Sequence, residues 1–255
     1  MNKKNITIIA LHFLLVNLLS KEITAQNANC PGYFPCEVHT LVYQTLKAGE
    51  SGVEVEQETI ILSPSGDQIN YNRTLSVISF SGGGQVSFSH TGTIQHNGNA
   101  HLFGPDYFLP KPNPSFGDFI EPPVVVYGGP NCPLPNSISM NTVLPACSEM
   151  SIKVTKETKS AGNPFLAGGF EFNYSISYMN RTVLAVNQYL QHAGKTYNCV
   201  VIKERRENKG VVTGDFWEVS WLAKGIGKVK SHFFKADPGN NWNNGGAAEF
   251  TRNLL

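Results

Sequence analysis

"WLAKGIGKVKSHFF", residues 221–234, is the stretch whose reading decides the fold. Glycine and lysine this close together have two readings, a phosphate-binding loop or a turn between strands. A phosphate loop needs consecutive backbone amides opening onto a helix N-terminus. The residues after Gly227, "KVKSHFF", alternate like a strand and carry no helix signal. The residues before the glycines, "DFWEVSWLA", are a strand-length run rich in aromatic and β-branched side chains. Gly225 and Gly227 are therefore predicted to be backbone devices joining two antiparallel strands, with Lys224 and Lys228 in solvent.

The rest of the chain agrees with that reading. "GFEFNYSISYM" sets Phe170, Phe172, Tyr174, Ile176 and Tyr178 against Glu171, Asn173, Ser175 and Ser177. A period of two arises because successive strand side chains point to opposite faces. "QVSFSHTGTI" repeats the alternation, and "HTLVYQTL", "ETIILS", "TLSVISFS" and "TYNCVVIKE" add further strand-length runs. "RTVLAVNQYLQHAG" is the best helix candidate, but its β-branched start suits a strand equally well. The predicted fold class is all-β, an antiparallel barrel or sandwich.

The N-terminus bears on compartment. Lys3 and Lys4 precede an apolar run from Ile6 to Leu19, and "SKEITAQ" comes after it. A basic start, a short apolar core and small residues near position 25 predict a signal peptide over 1–25, with export to the periplasm or outside. The run is short for a membrane span of about 20 apolar residues. The chain has no second such run, so no transmembrane segment is expected after processing. Without residues 1–25 the chain has 17 basic and 18 acidic residues, a formal charge of −1. That balance gives no electrostatic reason to bind nucleic acid or an anionic membrane. The expected unit is a single β domain over 26–255.

Ten of the fifteen prolines fall between Pro105 and Pro145. Proline cannot donate to a β-ladder, so the stretch 98–150 reads as an excursion outside the central sheet. Export makes disulfides the expected state of cysteine. The simplest pairing is local, Cys30 with Cys36 and Cys132 with Cys147, leaving Cys199 over; other pairings stay open. No CxxC pattern or Cys/His grouping suggests a metal, and no cofactor is expected.

Chemistry-bearing candidates each have a plainer reading. His96 and His101 bracket "NGNA", but two nitrogens without a third ligand make a poor metal site. "SFSGGGQ" lacks the glycine-flanked serine and subsequent helix of a nucleophile elbow. Asp106, Asp118 and Glu121 could pair as acid and base, though spacing alone does not bring them together. Trp242, among asparagines and glycines, suits either a ligand contact or an anchor for the tail.

"YLQHAGKTYNCVVIKE" with "WEVSWLAKGIGKVKSHFF" after it resembles the C-terminal half of the TapB-like family of secreted bacterial proteins. Ala193, Gly194, Tyr197 and Cys199 match one of its motifs. Ala223, Gly225, Ile226, Gly227, Val229 and Lys230 match the other. Lys195 is extra, His232 replaces a commoner acidic residue, and the match covers about sixty to seventy residues. The resemblance implies an antiparallel β fold outside the cytoplasm, with Gly194, Cys199, Gly225 and Gly227 as structural positions. It implies no reaction.

Together these features describe an exported β-sheet protein without a catalytic residue. Its apolar face of Phe170, Phe172, Tyr174 and Tyr178 suits an apolar or lipid-like small molecule, or is packed core. Two alternatives are a hydrolase with its site in 98–150 and a protein that binds a cell-surface partner through that stretch and Trp242.

Overall fold

The computed structural model describes residues 30, 32–47, 54–78, 85–103, 124–127, 132–156, 170–210 and 214–255. The expected signal segment, "SFSGGGQ" up to Gly84, Asp106, Asp118 and Glu121 lie outside them, as do the side chains of Phe170, Phe172 and Tyr174.

The described residues form thirteen strands. They are β1 (His39–Lys47), β2 (Glu54–Ser65), β3 (Gln68–Ile78), β4 (Gln85–His96), β5 (Ala100–Phe103), β6 (Val124–Tyr127) and β7 (Cys132–Pro135). The remainder are β8 (Cys147–Lys156), β9 (Phe170–His192), β10 (Lys195–Gly210), β11 (Gly214–Ala223), β12 (Gly227–Phe234) and β13 (Phe250–Leu254). All pairings are antiparallel, in one sheet ordered β6-β8-β9-β10-β11-β12-β13-β1-β2-β3-β4-β5-β7. The expected antiparallel all-β class is the observed one. The helix candidate after Arg181 is the second half of β9, which turns into β10 through Ala193 and Gly194. Both have positive φ (49° and 72°), the geometry of a two-residue hairpin turn.

The described parts of 98–150 are not outside the sheet. They supply β5, β6, β7 and the start of β8, with β6 and β7 terminating the two ends of the strand order. Pro133 and Pro135 lie on the end strand β7, where the missing donor costs no ladder bond. Among the described strands of this stretch only the edge strand β7 carries proline.

The two ends meet. The ladder is open between β7 and the β6–β8 end, yet Cys132 of β7 is bonded to Cys147 of β8. Arg181 of β9 reinforces the join. Its Nη1 donates to the carbonyls of Pro133 (2.9 Å) and Pro145 (3.0 Å), and its Nε pairs with Glu204 (2.6 Å). The sheet is thus curled, with its core on the concave face. Replacing Cys132 and Cys147 together by serine should lower stability by about 3 kcal/mol, the loop-closure effect for a span near 15 residues. Urea unfolding in the absence of reductant measures it. A midpoint unchanged by the double replacement would show that Arg181 and the ladder alone hold the ends.

Burial on the concave face explains the alternation. Leu41 and Tyr43, Ile60 and Leu62, Ile69 and Tyr71, Ile94 and Phe103 all point inward. Charged side chains share that face. Ser220, Ser231, Arg252 and Thr45 form one row of direct partners across β11, β12, β13 and β1. Beside this row lie two ion-pair clusters. Glu58 accepts from Arg73 and pairs with Arg252, and Glu218 pairs with Lys228. Tyr43 ties them together: the Arg252 guanidinium stacks on its ring at 4.2 Å, and its hydroxyl donates to the Lys228 carbonyl (2.7 Å). Lys228 is therefore not solvated as expected.

The convex face of β11 and β12 is also covered. The chain after Phe234 folds back over it, setting Trp242 5.9 Å from Trp221. His232, fully buried, donates from Nδ1 to the Trp242 carbonyl (3.3 Å). Trp242 is an anchor for the tail.

Candidate functional site

The sequence stretches that stood out converge at one end of the curled sheet. Cys30 and Cys36 are bonded, closing the loop "CPGYFPC". That loop lies on the β11–β12 turn, where the Gly225 amide donates to the Gly32 carbonyl (3.1 Å). Gly225 and Gly227 both have positive φ (67° and 103°), and a Cβ on Gly227 would sit 3.4 Å from the Tyr33 carbonyl. The glycines give the turn its left-handed geometry and give the loop room to approach.

Between the loop and the sheet runs a groove of about 260 Å³. Tyr33, Ile138, Val186, Cys199 and Val200 supply its less polar lining. Ser137, Ser139, Asn187, Asn198 and Lys224 supply its polar groups. Sequence reading misses most of these, because they come from five separate segments. The local signal that flags one wall is the run "NSISMN", turn-forming residues inside the Cys132–Cys147 span.

Each wall is held in place. On the β9 side the register with β10 shifts between Cys199 and Val201, and Asn187 takes φ 54°. A bulge re-aims side chains, and asparagine tolerates this conformation better than most residues. Asn198 Nδ2 donates to Asn187 Oδ1 (3.3 Å), fixing both amides at the rim. On the opposite wall Asn136 anchors the 136–139 turn. Its backbone amide donates to Asn99 O (2.9 Å), and its Nδ2 to Gly98 O (2.9 Å) and His96 Nε2 (3.0 Å). His96 and His101 face each other across β4 and β5 with ring centroids 4.6 Å apart, and Phe34 packs on His101. The pair braces this wall; among the described residues no group of three His, Cys, Asp or Glu is placed to hold a metal.

The electrostatics of the groove argue against nucleophilic chemistry. Burial pushes the Cys199 thiol up to about 12. A thiol held neutral is a poor nucleophile. Burial likewise pushes the Tyr33 hydroxyl up to about 12, against the opposing effect of a hydrogen bond with the Ile138 backbone. What the site offers is an apolar lining, amide and hydroxyl groups and one exposed lysine, Lys224. Of the expected structural positions, Cys199, Gly225 and Gly227 lie in or beside the groove. Gly194 lies away from it, in the β9–β10 turn.

No family model matches the chain, and no curated protein matches it. Two solved structures are similar. One is a protein from Parabacteroides distasonis named as a lipoprotein, 12% identical, covering 89% of this chain and 98% of its own, with a TM-score of 0.56. The other is a protein from Bacteroides fragilis named as exported and as having a YmcC-like fold, 13% identical, covering 88% and 98%, with a TM-score of 0.51. At these identities the likeness is one of fold.

Proposed function

We propose that this protein is an exported, non-catalytic binding module, periplasmic or extracellular, and that the groove beside Tyr33 is its ligand seat. The carrying observation is the convergence of five chain segments, two of them braced by disulfides, on a groove with an apolar floor and a polar rim. Such a groove suits a small amphipathic molecule, with its apolar body against Ile138, Val186 and Val200 and its polar groups at Ser139, Asn187 and Asn198. Export is supported by the two disulfides, by the basic and apolar N-terminus, and by the names of the two similar structures. The resemblance to the TapB-like family belongs to the same proposal and adds no chemistry to it.

The test is a thermal-shift screen of small amphipathic metabolites against the exported chain. A true ligand at one hundred times its Kd adds about 2.7 kcal/mol. For a domain of this size that raises the melting temperature by roughly 5–10 °C. Ser139→Trp, which fills the groove from an exposed turn, should abolish the shift and leave the unliganded melt unchanged. A ligand that stabilises the Ser139→Trp variant equally would place the seat elsewhere and defeat this reading.

A further inference from the structure

The convex face of β1–β4 inverts the usual arrangement of charge. The alternate positions facing away from the core run from Thr40 to Gln44, Gln57 to Ser63, Asn70 to Ser76 and Thr91 to Gln95. They carry threonine, serine, asparagine and glutamine, with Val42 and Ile61 as the two aliphatic exceptions and no charged residue. Charged residues make up 15% of the chain. On these strands Glu58 and Arg73 point inward, where burial makes charge costly. These outward positions, where charge costs least and guards a sheet surface against association, have none.

At the centre of this face is a shallow depression of about 410 Å³, lined by Ile61, Ser63, Asn70, Asn72, Thr91 and Thr93. Ile61 sits directly across from Asn72, and Asn72 across from Thr91. Every polar side chain in it both donates and accepts hydrogen bonds without carrying charge. Sugar hydroxyls have the same character, and Ile61, exposed among these groups, offers an apolar contact for the C–H face of a ring.

We infer that this face binds a neutral glycan laid across β2, β3 and β4 at the depression. The absence of charge is the matching element: an anionic polymer would find no cation here, and a cationic one no carboxylate. A second copy of the chain fits less well, because a sheet-to-sheet interface needs an apolar core and this face supplies two separated aliphatic residues. The inference stands apart from the groove beside Tyr33 and survives or fails without it.

The test is retention of the exported chain in gels or on beads carrying amylose, β-1,3-glucan, mannan, alginate or hyaluronate, at low and high salt. The expected result is binding to at least one of the three neutral polymers, insensitive to salt. Asn72→Glu and Thr91→Glu should each weaken it by at least about tenfold, since each leaves a desolvated charge without a partner. Their melting temperatures should match the parent, and Thr182→Glu, exposed on β9, should bind as the parent does. Failure to bind any of the neutral polymers, retention only on the anionic ones, or unchanged binding by both charge variants would overturn the inference. So would a dimer in light scattering that Thr91→Glu dissociates, which would make the face a contact between copies.

Discussion

Replacing Lys228 by methionine should lower the unfolding free energy by about 3 kcal/mol, far more than an exposed lysine is worth. The reason is Glu218. Its side chain is 5% exposed, and its Oε1 accepts from Ser220 Oγ (3.0 Å), from Ser231 Oγ (2.9 Å) and from Lys228 Nζ. Burial by itself pushes the Glu218 carboxyl up. The Lys228 charge and these three hydrogen bonds more than reverse that and hold it below the usual carboxylate range. Burial likewise pushes the Lys228 ammonium down, and the charge and hydrogen bond of Glu218 reverse that, leaving it raised. Methionine fills the space of the lysine stem but leaves a buried carboxylate with two hydroxyl donors and no counterion. Breaking such a pair costs about 3–5 kcal/mol; the lower end applies because the Lys228 side chain is one-third exposed.

The same pair fixes the sign of a pH effect. A carboxyl depressed in the folded state contributes stability above its unfolded value, and that stability is lost as pH falls through the folded value. In Lys228→Met burial dominates and the carboxyl is raised, so the variant loses most at neutral pH and recovers part of the deficit on acidification. Glu218→Gln added to Lys228→Met should restore most of the stability. Urea unfolding at neutral and mildly acidic pH measures all of this. A loss below about 1 kcal/mol would mean that Lys228 behaves as a surface charge.

Lys228 also shows where sequence reading stops. Period-two alternation puts Lys228 and Lys230 on one face of a strand, and an exposed face is the natural expectation for two lysines. The β11–β12 register shifts between Trp221 and Leu222, so Lys230 opposes Trp221 and Lys228 opposes Leu222. One extra residue, Val229, divides the two lysines between opposite faces. A bulge leaves no compositional mark, so alternation locates the strand without fixing which face each lysine takes. The strands and the turn glycines at 225 and 227 rest on local chemistry and are legible in the sequence, whereas Trp242 suits a ligand contact or a tail anchor equally until its packing on Trp221 is seen. Proline density in 98–150 excludes central strands only at the prolines themselves. β7, with its two prolines, lies at an edge, whereas the proline-free runs β5 and β8 from the same stretch pair on both sides. The groove is not legible, because Tyr33, Ser139, Asn187 and Lys224 meet only once the sheet has curled. The uncharged convex face is present in the sequence but needs the register to separate it from the charges on the alternate positions.

Acidification from about pH 6.5 to about pH 4 should cost the fold up to roughly 3 kcal/mol for each of two histidines, His232 and His101. Both are almost fully buried, and both imidazoles are pushed down to about 4. For His232 the causes are burial first and then the Lys230 charge, opposed by the hydrogen bond to Trp242. For His101 they are burial and then His96, opposed by Asn136. A histidine kept neutral in the fold costs nothing above about 6.5, where the unfolded chain is neutral too. Between about 6.5 and 4 the unfolded chain binds a proton that the fold refuses, so stability falls across that window and levels off below it. The carboxylates add their own loss lower down, which makes the upper half of the window diagnostic. His232→Phe isolates one share. His232 Nε2 has no partner, and the ring packs edge-on against Trp221 and near Phe234, so phenylalanine suits the site. The variant should lose about half of the pH dependence between neutral pH and about pH 5, read from urea midpoints. A His232→Phe variant with the full parental slope would mean that His232 takes up a proton in the folded state. The tail bearing Trp242 would then have to open before the rest of the sheet, and hydrogen exchange at Gly246 and Ala248 would rise ahead of exchange in β11.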